Sequence, residues 1–69
     1  MQVAEIKDMA ERQPFRPFGV RLVNGEEYWF EQPRDLRAPK NYRMLYFFGE
    51  ERAVRIDTDC ISEIIERVA

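Results

Sequence analysis

The sequence predicts a mainly β fold: a small, strongly bent five-stranded antiparallel barrel behind an N-terminal α-helix. Three observations carry this expectation. Residues 18–30 alternate as a complete hairpin. Residues 43–57 alternate as a second one. The 69 residues leave room for a single domain, read as a helix over 2–13 and a barrel over 18–66.

The helix comes first. Val3, Ile6, Met9 and Ala10 recur at helical spacing, with Glu5, Lys7, Asp8, Glu11 and Arg12 on the other side. Such a helix either covers an open end of the barrel or meets a partner. Pro14 and Pro17 stop it and force an extended link through Phe15 and Arg16.

The first hairpin is the most specific element. Phe18, Val20, Leu22, Tyr28 and Phe30 are apolar and all even-numbered. Directly opposed residues share a face, so even-to-even pairing needs a loop of odd length. The three residues Val23, Asn24 and Gly25 supply it, with Gly25 in the left-handed position of a G1 bulge. Leu22 then faces Glu26, Arg21 faces Glu27, Val20 faces Tyr28, Gly19 faces Trp29 and Phe18 faces Phe30. A two-residue Asn-Gly turn would set Leu22 opposite Glu27 and is rejected.

Pro33 ends that hairpin. The stretch from Gln32 to Tyr42 holds Pro33 and Pro39 without periodicity and reads as a long loop, a place where function is often carried. In the second hairpin, Leu45 and Phe47 oppose Ile56 and Val54 around a two-residue Glu50-Glu51 turn. Tyr46 then faces Arg55, and Phe48 faces Ala53, on the outer side. The last segment is ambiguous. Ile61, Ile64, Ile65 and Val68 make a helical stripe, while the β-branched run and the need to cover a sheet edge favour a strand from Ile61 to Glu66.

Size and composition set further bounds. A chain this short buries a low fraction of its surface and commonly needs a staple. Cys60 is the only cysteine and there is no histidine, which removes an internal disulfide and leaves no ligand set for a structural zinc. A homo-oligomer is the remaining common solution. The lone thiol and the lack of an export signal suit a cytoplasmic protein. The longest apolar run, Met44 to Phe48, is five residues, so no membrane partner is expected.

The order of elements resembles the Sm-like fold and the related SH3-like form. Within the Sm-like group it is most similar to the bacterial Hfq RNA chaperones. The shared residues are Leu22-Val23-Asn24-Gly25 in the first hairpin and Ile61-Ser62 with Ile64-Ile65 at the end. Gln13-Pro14-Phe15-Arg16-Pro17-Phe18 ahead of that hairpin also resembles a group of short uncharacterised bacterial proteins. The resemblance implies a barrel, an oligomer and RNA as ligand. Where Hfq carries a Lys-His pair, this chain has Thr58 and Asp59, followed by Cys60. The resemblance therefore implies the fold and not the uridine site.

Catalytic chemistry is sparse. The absence of histidine removes His-based acid–base work. Cys60 lies near Asp57 and Asp59, which disfavour a thiolate, and it reads as a buried inert residue. Asp57 and Asp59, two apart, suit a turn or cap better than a metal. No enzyme activity, metal or other cofactor is expected. The formal net charge of −2 gives no global grip on nucleic acid, but one loop is locally basic. Arg34, Arg37, Lys40 and Arg43 there either form a solvated loop or meet RNA phosphates, with Tyr42 offering a stacking face. Trp29, Tyr46 and Phe48 lie on the outer faces and read as an oligomer interface. The expected function is a non-catalytic binding module, an Sm-like oligomer contacting RNA. The alternative is a protein–protein adaptor or regulatory subunit.

Overall fold

A computed structural model describes residues 3–68. The helix α1 spans Val3–Ala10 and buries Ile6 and Met9, three residues apart on one face. It stops short of the expected end at 13, because Pro14 disfavours helical geometry at Gln13. Only Glu11 continues the ladder, donating its N–H to the Lys7 carbonyl at 2.9 Å. Residue 2, also expected in the helix, lies outside the described residues.

Strands β1 (Phe18–Leu22) and β2 (Glu27–Phe30) form the first hairpin in the expected register, from Phe18 opposite Phe30 to Arg21 opposite Glu27. Leu22 N–H donates to Glu26 O at 2.8 Å, which closes the three-residue loop. Gly25 sits at φ +92°, the left-handed region the loop requires. The Asn24 side chain accepts the Glu26 N–H at 3.0 Å and locks the turn.

The next segment differs from the expected loop. Pro33–Asp35 form a 3-10 turn and Leu36–Arg37 a two-residue strand, β3. Leu36 pairs with Phe47, and Arg37 with Tyr46, on β4 (Met44–Phe48). Strand β4 then pairs with β5 (Ala53–Asp57) in the expected register, Tyr46 against Arg55 and Phe48 against Ala53. Gly49 N–H donates to Arg52 O at 2.8 Å across the Glu50-Glu51 turn.

A second 3-10 turn, Thr58–Cys60, leads into β6 (Ile61–Glu66), so the C-terminal segment is a strand. It pairs with β1, with a bulge between Arg21 and Leu22. Ser62 is the extra residue, and its hydroxyl donates to the Arg21 carbonyl at 3.0 Å. The bulge switches the parity of the strand. Ile61 and Ile64 therefore both turn toward the core despite being three apart. That spacing imitates a helix in the sequence.

Among the described residues six strands form two three-stranded antiparallel sheets, β2-β1-β6 and β3-β4-β5. The mainly β class and the N-terminal helix are as expected, while the strongly bent five-stranded barrel is replaced by two small sheets. The chain passes between sheets through the two 3-10 turns, not along strands that bend from one sheet into the other. Both sheets and α1 contribute to one core, with Phe18, Val20, Phe30, Leu45, Ile56 and Ile61 almost wholly buried. Phe47 bridges the layers, 5.4 Å from the Tyr28 ring and 5.8 Å from Phe30. Cys60, expected in the core, is exposed. Its neighbour Ile61 takes the inward position, and Thr58 is the buried residue of the turn. No helix of the described residues is long and apolar enough to cross a membrane.

Candidate binding surface

The outer faces of the two sheets treat charge differently. On the first sheet, Arg21 is flanked by Glu27 on β2 and Glu63 on β6. Its guanidinium donates twice to Glu27 Oε2, at 3.1 and 2.8 Å, and also pairs with Glu63. Those bonds, with one from the Trp29 indole N–H, hold the Glu27 carboxyl below its ordinary range. Trp29 lies across Gly19, where a β-carbon would come within 2.8 Å of the indole. Arg67 forks onto Glu31 at 2.8 and 2.5 Å and stands 4.8 Å from the Trp29 ring centre. The charges on this face are matched within the chain.

The second sheet differs. Arg37, Tyr46 and Arg55 form one row across β3, β4 and β5 on its outer face. The Arg55 guanidinium is 6.0 Å from the Tyr46 ring centre. One row along, Phe48 stacks beside Tyr46 with centroids 6.1 Å apart and planes at 26°. Both arginines are exposed, and neither makes an ion pair among the described residues. Phe48 retains 42% of its surface. It also lines an open concavity of about 550 Å³ with Trp29, Arg34, Phe47 and Glu50.

The basic loop does not act as one patch. Arg34 is exposed on the 3-10 turn and faces the concavity by Trp29. Arg37 joins the sheet beside Tyr46. Lys40 is exposed in the following turn. Arg43 lines a separate hollow with Val3, Asp57 and Asp59, so carboxylates share its surroundings. Asp57 stands before the second 3-10 turn without a side-chain capping bond.

Tyr42 is the clear correction. It is 8% exposed, with its ring in the core and its hydroxyl donating to Glu11 Oε2 at 3.0 Å. Burial first, and the Glu11 carboxylate second, push its pKa above the ordinary tyrosine value. It offers no face for a base to stack on.

Of the aromatics, Trp29 and Tyr46 are half-buried and Phe48 is exposed. Tyr46 and Phe48 are brought together, and Trp29 meets Phe48 only across the concavity. Arg55 is the residue the loop-centred reading missed. Its signal was present in the second hairpin, whose register sets it opposite Tyr46. The described residues hold no cluster of three or more side chains able to bind a metal. Comparison with protein families, curated proteins and solved structures finds no match.

Proposed function

We propose that this chain is a non-catalytic, Sm-like binding module that contacts single-stranded RNA through the outer face of its second sheet. The observation that carries the reading is the row Arg37–Tyr46–Arg55 with Phe48 stacked beside it. A sheet face with one aromatic ring between two unpaired arginines and a second ring beside it suits a flexible polyanion with planar bases. Rings stack on bases with little regard to sequence, and guanidinium groups meet the phosphates between them. The net charge of −2 does not weigh heavily against this. It is a total over the whole chain, whereas Arg37 and Arg55 make no ion pair among the described residues. A protein–protein adaptor is the second reading, favoured by the exposure of Phe48 beside Tyr46.

Fluorescence anisotropy of a labelled oligouridine in low salt tests the proposal. Affinity must fall with salt, because each neutralised phosphate releases counterions. Replacing Arg37 and Arg55 by alanine should flatten the log–log salt slope by roughly 0.7 for each lost phosphate contact. Tyr46→Ala should cost about 1–3 kcal/mol with little change in slope. Absence of binding in low salt, by a protein shown to be folded, would move the assignment to the adaptor reading.

A further inference from the structure

We infer that the outer face of the second sheet is self-complementary, and that two copies of the chain pair through it about a two-fold axis at Phe48. The inference concerns the chain free of RNA: a second copy and an RNA strand would compete for Tyr46 and Arg55, so RNA would bind at the expense of the dimer.

Phe48 lies between two oppositely charged features along β4. On one side is the row Arg37–Tyr46–Arg55. On the other is the hairpin tip, Glu50-Glu51, with Glu50 lining the concavity beside Phe48. Residues two apart on a strand are separated by about 7 Å. The basic row lies one such step before Phe48 on β4, and the Glu50-Glu51 turn begins two residues beyond Phe48 in the other direction. A half-turn about an axis lying in the face and crossing β4 at Phe48 exchanges these directions. The tip of each copy then lies over the basic row of the other, and the contact occurs twice, as an isologous interface requires.

The energetics point the same way. Arg37, Arg55, Glu50 and Glu51 are all exposed and make no ion pair among the described residues. On the first sheet Arg21 is already held by Glu27 and Glu63, so that face has no comparable unmatched charge. Phe48, 42% exposed and stacked on Tyr46, would supply the apolar centre. An aromatic centre inside a charged rim is the usual anatomy of a protein interface. A chain of 69 residues gains from such cover because its own core is small.

Light scattering after size exclusion, without RNA and at micromolar concentration, should report the mass of two chains. Phe48→Asp should give the mass of one chain. Two charge-reversed variants test the geometry: Glu50→Arg with Glu51→Arg, and Arg37→Glu with Arg55→Glu. Each alone faces like with like and should be a monomer with native circular dichroism. Mixed in equal amounts, they should form a dimer holding one of each. A one-chain mass for the native protein overturns the inference, as does failure of the mixture to pair. A larger assembly indifferent to both charge reversals also overturns it, and points to the strand edges. A native monomer that binds oligouridine keeps the RNA reading and removes the dimer. A native dimer that binds no RNA in low salt, with the mixing rescue intact, does the reverse.

Discussion

Thr58 donates its buried hydroxyl to the Tyr42 carbonyl at 2.6 Å, and this bond ties the turn before β6 to the residue that leads into β4. Tyr42 needs the support, because it adopts φ +52°, a left-handed conformation that a bulky residue avoids. Its N–H donates to the Pro39 carbonyl at 3.0 Å, and the Thr58 N–H reaches Arg43 O at 3.0 Å. Thr58→Val keeps the shape of the side chain and leaves the carbonyl without its donor. The expected loss is about 1–3 kcal/mol by denaturant unfolding. Thr58→Ser, which keeps the hydroxyl, should lose less. A Val variant as stable as the native protein, with the loss confined to Ser, would show that the methyl group matters and the bond does not.

Gly19 sets the position of the indole. A β-carbon there would stand 2.8 Å from two atoms of the Trp29 ring. Gly19→Ala should destabilise by about 1–3 kcal/mol, because the ring must leave its place over the strand. In a Trp29→Leu background the same change should cost less. A double-mutant cycle measures the coupling, and Trp29, the sole tryptophan, reports its own displacement by a shift in emission. Additive costs would mean that the ring does not occupy that position.

Gly25 poses a different question, since nothing lies within 4 Å of the place its β-carbon would take. Any cost of substitution comes from the backbone at φ +92° alone. Gly25→Val should cost roughly 1 kcal/mol or more, and Gly25→Asn less, because asparagine tolerates the left-handed region. Equal melting temperatures for the three proteins would exclude the three-residue loop.

How much was legible follows from how local each signal is. The parity of Phe18, Val20, Leu22, Tyr28 and Phe30 determines the first register without reference to the rest of the fold. The second hairpin is readable on the same ground. Strand β3 is two residues long and too short to show a period, so the stretch looked structureless. The burial of Tyr42 depends on a positive φ and on a helix far away in sequence, and neither leaves a pattern. The spacing of Ile61 and Ile64 pointed toward a helix because a bulge at Ser62 shifts the parity of the strand. On the candidate surface, Arg37, Tyr46 and Phe48 were all singled out, but in two separate groups. Only the pairing of β3 with β4 puts them on one face, and Arg55 completes the row.

Arg67 secures the end of β6 to β2, and the pH dependence of that clasp follows from Glu31. The guanidinium fork on its carboxylate lowers the Glu31 pKa from its ordinary value near 4.5. Glu27 is likewise lowered, by Arg21 and by the Trp29 indole N–H. A carboxylate whose folded pKa is depressed binds its proton more readily in the unfolded chain. Its contribution is therefore complete above the unfolded pKa, which is that ordinary value, and it disappears as pH falls through the folded value. Melting temperature should thus hold steady from neutral pH to about 5 and decline below that. Both groups are exposed, so salt should shrink the effect. Arg67→Ala should flatten part of the acid limb, and Arg21→Ala another part, with little change to the slope above pH 5. Trp29 emission should respond to Arg67→Ala at neutral pH as well, because the guanidinium stands 4.8 Å from the ring centre. An acid limb unaltered by either substitution would show that these two pairs do not set the acid stability of the fold.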